Sequence, residues 1–290
     1  MIKEALMILY KYRNISDSKC FEYTLDSLEN NYLYFSRPSE LNDPFDCRMK
    51  IDFKASDEEY KAFIDNKITN PKGQFSNIEE LKVFLAENSS KKNQLIEMFS
   101  NSNHILSLTS DCLNEQMWGL YGGAYTGICI GYNCVEENGI PKVHFIKYSQ
   151  NSINMKNCSS RYCDDYIPFK KIMYDNEGRF KISPFGDLKK QNEILSYYLV
   201  HKKKCWESEN EYRAICVDNP LIKTDDLFET KIFYPYDTLA EIIFGYNVDA
   251  DKARIIYEIL KTQNKTVNFY RVKPDYDEYK LIKEPIIFNY

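Results

Sequence analysis

Short apolar runs alternate with polar, helix-forming stretches along the chain, and this pattern predicts a mixture of strands and helices. Runs rich in Leu, Ile, Val and Tyr, several with apolar residues at every second position, indicate strands. The predicted strands are residues 6–13, 32–36, 104–110, 126–132, 143–148, 209–217, 230–234, 239–245, 267–271 and 279–288. Apolar residues three and four apart indicate helices. The predicted helices are residues 19–30, 114–121, 188–203 and 249–262.

The order of these elements indicates the fold class. Strands and helices follow one another without the regular βαβ rhythm of a doubly wound sheet, so the pattern favours an α+β fold. We expect a mixed, mainly antiparallel sheet core with flanking helices, in a single α+β domain over residues 1–290. The segment of about residues 56–100 is polar and helical and opens with the capping box Ser56-Asp57-Glu58-Glu59, so we interpret it as an insertion.

Composition narrows the classes of function. The 290 residues carry a formal net charge of −5, which argues against a protein dedicated to duplex nucleic acid. A local basic groove stays open as an alternative, at Lys202-Lys203-Lys204 or at Lys189-Lys190. The chain has 24 tyrosines against 2 tryptophans, which predicts many half-buried rings with their hydroxyls in water.

Cysteine usage and the lack of export signals predict a cytoplasmic location. Nine cysteines, an odd number, and an N-terminus unlike a leader indicate free thiols in a reducing compartment. No apolar run reaches the length of a membrane span, so we expect no membrane partner. With three histidines and no Cys-x-x-Cys pair, no metal site is predicted. The glycine-rich signatures of common nucleotide-binding enzymes are also missing from the sequence.

Two segments carry side chains that would suit a ligand. Arg13 follows Tyr12 at the end of the first predicted strand, and its planar guanidinium suits a phosphate or a carboxylate. Trp118 and Tyr121 are three residues apart and share one face of a predicted helix. Their rings would pack in the core or form a stacking wall for a planar ligand.

The second predicted strand carries Tyr34 and Ser36 and leads into the turn Asn42-Asp43-Pro44-Phe45-Asp46. The proline pushes Asp43 toward an extended conformation, and an asparagine before it can cap the turn. The segment is therefore either a tight turn and no more, or a rigid loop that presents Asp43 or Asp46 beside Ser36.

The segment 206–213 reads Trp-Glu-Ser-Glu-Asn-Glu-Tyr-Arg and carries the densest charge pattern. On a strand, Glu209, Glu211 and Arg213 would point to one face, because side chains alternate with a period of two. The trio is either a solvated sheet face with a salt bridge or a pair of catalytic carboxylates with an arginine beside them.

Together these segments resemble a bacterial family, the domain of unknown function 2971. The resemblance extends over nearly the whole chain and rests on the strand Leu9–Arg13, the turn 42–46, Met117-Trp118-x-x-Tyr121 and the pattern of residues 206–213. It implies a setting among phage-defence and abortive-infection genes, and a fold similar to the split sheet of ADP-ribosyltransferases. Those enzymes carry an early Arg or His, an aromatic or Ser strand and a late Glu, in that chain order.

The resemblance implies a cytoplasmic, NAD-consuming enzyme of the defence-toxin type, either an ADP-ribosyltransferase or an NAD glycohydrolase. Glu211 would stabilise the oxocarbenium-like state at the ribose, Glu209 would orient the acceptor or take its proton, and Arg13 would hold the pyrophosphate. NAD is then the substrate, and the acceptor would be a protein, a nucleic acid or a small molecule. The residues expected to contact NAD are Tyr12, Arg13, Tyr34, Ser36, Asn42, Asp43, Trp118, Tyr121 and Arg213.

Two alternatives stay open at this point. The chain would bind a nucleotide or a phage protein as a sensor without catalysing a reaction. It would be a metal-dependent nuclease that holds magnesium with carboxylates from the turn 42–46 and from Glu209 and Glu211. A regulatory partner would accompany any of these functions.

Overall fold

The structure is a computed structural model, and it describes most of the chain. The described residues are 5–48, 50–66, 73–101, 103–144, 166–176, 179–183, 185, 198–217, 231–263 and 265–288. The chain divides into two compact units. The first comprises Met1–Ser36, His104–Ile172 and Cys205–Tyr290, and the second comprises Arg37–Asn103 and Met173–Lys204. The expectation of a single domain stays a prediction.

Five helices lie within the described residues, and aspartate side chains cap the N-termini of two of them. They are α1 (Ser18–Glu29), α2 (Asp57–Asp65), α3 (Ile78–Asn101), α4 (Glu115–Leu120) and α5 (Ala250–Thr262). Asp17 accepts a hydrogen bond from the amide of Cys20, and Asp249 accepts one from the amide of Lys252. Each carboxylate satisfies a backbone N–H that the first turn leaves without a partner. None of the described helices is long and apolar enough to cross a membrane.

The described strands are short and are spread along the whole chain. They are β1 (Ala5–Arg13), β2 (Tyr32–Tyr34), β3 (Lys50–Phe53), β4 (Asn103–Thr109), β5 (Ile128–Glu137), β6 (Ile140–His144), β7 (Tyr166–Pro168), β8 (Lys170–Lys171), β9 (Met173–Asp175), β10 (Arg179–Ile182), β11 (His201–Lys203), β12 (Glu211–Val217), β13 (Lys231–Phe233), β14 (Leu239–Phe244), β15 (Asn268–Asp275) and β16 (Lys280–Pro285). Most of them coincide with predicted strands, because their apolar runs are what the sheet buries.

Most strands of the first unit form one sheet. Its order is β16-β15-β14-β5-β1-β4-β12-β8, with β6 beside β5 and β7 beside β6. The long central strand β1 runs antiparallel to β4 and to β5, whereas β14 and β15 are parallel and are connected through α5. The prediction of a mixed α and β fold with a mainly antiparallel sheet is therefore confirmed.

The two faces of this sheet bury different clusters of side chains. Because β1 alternates regularly, Leu9 lies on one face, in a large apolar cluster with Ile128 and Ala214. Tyr12 lies on the other face, in a smaller cluster with Trp118. We call these the Leu9 face and the Tyr12 face.

Two predicted elements differ from the structure. The strand expected over 209–217 begins only at Glu211, because the chain forms a 3-10 helix up to Glu209 and Asn210 then takes a left-handed φ of 46°. Asparagine tolerates this region better than most residues, so it can break the alternation here. The helix expected over 188–203 ends as the strand β11, which pairs in parallel with β9.

Parts of some predictions lie outside the described residues. These parts are residues 67–72 of the predicted insertion, residues 145–148 of the strand expected after Val143, residues 188–197 of the predicted helix with the pair Lys189-Lys190, and Thr230 of the strand expected over 230–234.

The described residues of the second unit form two short parallel strand pairs and two helices. The pairs are β3 with β10 and β9 with β11. The predicted capping box at Ser56 opens α2, since the Ser56 side chain accepts from the amide of Glu59 while the Glu59 carboxylate accepts from the amide of Ser56. Tyr60 of α2 packs edge-on against Phe185, with 5.5 Å between ring centroids. The polar segment thus packs against a residue far along the chain.

Candidate active site

Helix α4 is fastened to the segment that enters β12. Asn114 caps α4 by accepting from the amide of Met117, and its Nδ2 donates to the carbonyl oxygen of Ser208 at 2.6 Å. At the other end of the helix, the Tyr121 hydroxyl donates to Oε1 of Glu209 at 2.7 Å. Glu209 is only 5% exposed, so this hydrogen bond holds a buried carboxylate in a fixed orientation.

Glu211 and Arg213 form a buried ion pair on β12. Nε of Arg213 donates to Oε1 of Glu211 at 2.6 Å, and a second guanidinium nitrogen donates to Oε2 at 3.1 Å. The two residues are 4% and 1% exposed. These two hydrogen bonds fix the plane of the carboxylate, and the guanidinium neutralises its charge in a buried position.

The burial pattern of β12 shows which face this ion pair occupies. Ala214 belongs to the apolar cluster of the Leu9 face, so Glu211 and Arg213 lie on the Tyr12 face. They share that face with Tyr12 and Trp118. The expected alternation of Glu211 and Arg213 is present, but Glu209 does not belong to the strand and reaches the site from the preceding 3-10 helix.

Arg13 lies on the Leu9 face, opposite to Glu211. Its pairing partner on the neighbouring strand β5 is Ile128. Burial raises the pKa of Tyr132, and the positive charge of Arg13 partly offsets that increase. The Nε atom of Arg13 is buried without a hydrogen-bond partner. Tyr12 and Arg13 are adjacent on a regular strand, so they point to opposite faces, and the structure does not bring Arg13 to the Glu211 ion pair.

The aromatic wall expected at Trp118 is covered by other rings. Trp118 is fully buried; Tyr12 meets it edge-on with centroids 5.1 Å apart, and Tyr125 stacks on it at 5.7 Å. Tyr246 packs on Tyr125 at 4.6 Å and is 41% exposed. Tyr246 is therefore the ring of this stack that is open to a planar ligand. The aromatic residue after the strand-ending Gly245 was the sequence signal for it.

The turn that positions Tyr125 is strained. Gly123, Ala124 and Tyr125 all have positive φ values, of 59°, 50° and 66°. The left-handed region costs non-glycine residues about 1–2 kcal/mol each, so the surroundings must hold the turn in place. The amide of Asn247 donates to the Tyr125 carbonyl oxygen at 3.1 Å, and a Cβ on Gly245 would lie 2.1 Å from that oxygen. Only glycine fits at position 245.

A third buried carboxylate, Glu241 of β14, lies on the Tyr12 face. Nζ of Lys283 donates to Oε1 of Glu241 at 2.8 Å and lies 4.3 Å from the centroid of the Tyr270 ring. Burial raises the pKa of Tyr10, and the neighbouring Cys112 and Glu241 raise it further, so its hydroxyl stays protonated. Burial alone would lower the pKa of Lys283, but the hydrogen bond to Glu241 outweighs that effect and raises it.

The remaining residues expected at the cofactor lie in other places. Tyr34 is on β2 and pairs with Lys231 of β13, and Ser36 forms an isolated bridge with Ile105. Asn42 and Asp43 belong to the second unit, together with Asp46. In the part of the chain that the structure describes, no group of three or more His, Cys, Asp or Glu residues could hold a metal ion.

The comparisons with known proteins locate the family resemblance. No curated protein sequence and no solved structure matches the chain. One family model matches residues 117–214, a segment that starts inside α4 and ends inside β12. Its two ends are the parts that the Tyr121–Glu209 hydrogen bond joins. This model is described as Protein of unknown function (DUF2971), so the resemblance inferred from the sequence is confirmed over residues 117–214.

Proposed function

We propose that this protein is an NAD-consuming enzyme of the ADP-ribosyltransferase type, acting in the cytoplasm as a phage-defence effector. The observation that carries the proposal is the pair of buried, oriented carboxylates at the start of β12. Tyr121 fixes Glu209, and Arg213 fixes Glu211. Both carboxylates fall in the matched segment 117–214.

The arrangement suits cleavage of the bond between nicotinamide and ribose. That bond breaks through an oxocarbenium-like state, as in glycoside hydrolysis. A carboxylate already fixed and desolvated stabilises the developing positive charge without reorganising during the reaction. Glu211 is assigned this task, because Arg213 sets its orientation from within the same strand. Glu209 then orients the acceptor or takes its proton.

The structure changes two roles that the resemblance implied. Trp118 is covered, so the ring proposed to stack on nicotinamide or adenine is Tyr246. Arg13 lies on the Leu9 face, whereas Glu211 lies on the Tyr12 face, so Arg13 is not proposed to bind the pyrophosphate beside Glu211. The acceptor is a protein, a nucleic acid or a small molecule, and the reaction needs no metal ligand from this site.

The test is release of nicotinamide from NAD by the purified protein, with cell lysate supplied as a source of acceptor. Glu211→Gln should lower the rate about 100-fold or more, because it removes the charge that stabilises the transition state. The matched control is Glu241→Gln. Glu241 is also 4% exposed and also lies on the Tyr12 face, but in the other carboxylate centre.

Both variants should keep a cooperative unfolding transition. Equal loss of activity in the two variants would point to damaged folding and not to a catalytic role of Glu211. If the wild-type protein releases no nicotinamide under any of these conditions, the NAD proposal is wrong.

One observation favours a second candidate, a sensor that binds a nucleotide without turning it over. Both oxygens of Glu211 already accept hydrogen bonds from Arg213, as in a structural ion pair. For such a sensor, Glu211→Gln would change the affinity for NAD in equilibrium dialysis, and neither protein would release nicotinamide.

A further inference from the structure

The turn 42–47 of the second unit buries two carboxylates that have different surroundings. Asp43 is 5% exposed and Asp46 is 2% exposed. Oδ2 of Asp46 lies 3.8 Å from Nζ of Lys202, whose side chain is itself only 4% exposed. Cys47 donates its thiol to Oδ1 of Asp46 at 3.4 Å. Asp46 therefore has a buried cation and a hydrogen-bond donor beside it.

Asp43 is satisfied at only one of its two oxygens. Oδ1 accepts from the amide of Phe45 at 2.9 Å, whereas Oδ2 is buried and has no hydrogen-bond partner. Nearly all buried polar atoms in proteins have a partner, and an exception calls for a ligand or for another explanation. A carboxylate oxygen accepts hydrogen bonds and does not donate them, so the missing group is an O–H or N–H donor.

The backbone of the turn is held in place around this oxygen. The amide of Asp46 donates to the carbonyl oxygen of Asp43 at 3.1 Å, and Pro44 fixes the backbone between them. Cys47 closes the turn with a left-handed φ of 53°, a conformation that persists only where the surroundings impose it. Because Oδ2 is buried, a ligand reaches it only when the side chains around it move aside, while the backbone of the turn stays in place.

The surface beside Asp43 offers an aromatic ring and cations. Phe45 is 61% exposed, and Nζ of Lys203 lies 4.4 Å from the centroid of its ring. Lys203 and Lys204 are exposed, so their charges are available to an anion. A hydroxyl donor for Asp43, a planar ring for Phe45 and an anion for the lysines are three parts of one ligand class, the ribonucleotides.

We propose that the turn 42–47 and the adjoining Lys203 of β11 bind a ribonucleotide. Oδ2 of Asp43 accepts a hydrogen bond from a ribose hydroxyl, the base packs on Phe45, and Lys203 binds the phosphate. This site lies in the second unit, and the proposal does not depend on NAD cleavage by Glu211.

The experiment titrates the full-length protein with AMP, and in parallel with 2′,3′-dideoxy-AMP, by calorimetry. AMP has no nicotinamide–ribose bond, so its binding is independent of the reaction proposed for Glu211. Wild type should bind AMP, and should bind the dideoxy analogue at least tenfold more weakly, because the analogue lacks the donor for Asp43. Equal affinities, or no binding of AMP at millimolar concentration, would overturn the proposal.

The variant Asp43→Asn separates a ligand site from a structural role. Its side-chain oxygen can still accept from Phe45, but an amide donor replaces the unpartnered oxygen, so AMP affinity should fall at least tenfold. Without ligand, the variant should melt at the same temperature as wild type or higher, since no existing hydrogen bond is lost and a buried charge is removed. A lower melting temperature with unchanged AMP affinity would show that Asp43 is structural.

The matched control is Asp46→Asn, three residues away in the same turn. It removes the carboxylate beside the buried Lys202, so it should lower the melting temperature where Asp43→Asn does not. Lys203→Met should weaken binding of AMP but leave binding of adenosine unchanged, since only AMP carries the phosphate. Equal weakening for the two ligands would contradict the phosphate role of Lys203.

Discussion

Two buried carboxylates lie on the same face of the sheet, and their charges are balanced in different ways. Glu211 is neutralised by Arg213, two residues away on the same strand and almost completely buried. Glu241 is neutralised by Lys283, which comes from β16 and whose side chain is 25% exposed. The first pair is local in sequence, and the second joins distant parts of the chain.

Burial alone therefore does not mark a catalytic carboxylate. The Glu241–Lys283 pair connects β14 to β16, two strands separated by β15, and therefore contributes to assembly of the sheet. The two hydrogen bonds between Arg213 and Glu211 run within β12, so they do not themselves connect this strand to another one. An ion pair within one strand, such as Glu211–Arg213, fits a role in chemistry or in binding.

Removing the cation from each ion pair should change the stability of the protein most. Arg213→Met leaves Glu211 charged and buried, which should lower the free energy of unfolding by about 3–5 kcal/mol. Lys283→Met should lower it by about 1–2 kcal/mol, because water can reach the partly exposed position of the lost ammonium group. Urea denaturation of the two variants measures both values. Equal losses would remove the distinction between the two centres.

A smaller loss of stability is expected from adding a methyl group at Gly131, which packs against Glu241. A Cβ on Gly131 would lie 2.8 Å from Cγ of Glu241 and 2.9 Å from Cγ2 of Ile8. Gly131→Ala should therefore cost about 1–3 kcal/mol through overpacking.

The matched control for this variant is Gly119→Ala. Gly119 is exposed on α4, and a Cβ there meets nothing within 4 Å. Alanine favours a helix over glycine by about 0.8–1 kcal/mol, so this change should stabilise the protein. Thermal unfolding followed by circular dichroism compares the two variants. Stabilisation by Gly131→Ala would show that the packing around Glu241 accommodates a methyl group at position 131.

The contrast between the two centres also shows what the sequence could predict. The Glu211–Arg213 pair follows from the period-two pattern of one strand, and so its shared face was predictable. The Glu241–Lys283 pair depends on the order of strands in the sheet, which no local pattern contains. It was not predicted, although each of the two residues lies in a correctly predicted strand.

The errors in the sequence interpretation have a related origin. Glu209 was placed on the strand because the alternation continues through it, but Asn210 breaks the strand by its left-handed φ. Arg13 was grouped with Glu211 by chain order alone, whereas the regular alternation of β1 puts them on opposite faces of the sheet. Chain order does not specify a face, and that information comes from the burial of neighbouring strands.

Removing a tyrosine hydroxyl beside Glu209 or beside Glu241 should change the unfolding free energy by a smaller amount. The Tyr121 hydroxyl donates to Glu209 at 2.7 Å, so Tyr121→Phe should cost about 1.5–3 kcal/mol, in the range for hydrogen bonds to charged groups. Tyr10 interacts with Glu241 but forms no hydrogen bond as short as that of Tyr121. Tyr10→Phe should therefore lower the free energy of unfolding by less than about 1 kcal/mol. Urea denaturation gives both values, and a larger loss for Tyr10→Phe would contradict this order.

The smallest difference is expected in the pH dependence of stability that two lysines produce. Lys283 donates to a carboxylate, whereas Lys265 donates to a backbone carbonyl oxygen. Lys265 donates to the carbonyl oxygen of Leu28 at 2.6 Å, and burial lowers its pKa to about 8, although Glu29 partly offsets this. Between this value and the ordinary lysine pKa of 10.5, the unfolded chain binds more protons than the folded chain. Lys265 should therefore make the protein more stable as the pH rises from 8 to 10.

Lys283 should act in the opposite direction. Its pKa is raised, so its stabilising effect is complete below pH 10.5 and is lost only at higher pH. The difference in unfolding free energy between wild type and Lys265→Met should thus shift in favour of wild type between pH 8 and pH 10, by less than about 1.4 kcal/mol per pH unit. Subtracting the variant removes the contribution of the buried tyrosines, which both proteins share. A difference that stays constant with pH would mean that Lys265 keeps its ordinary pKa, and the contrast between a paired and an unpaired lysine would then be lost.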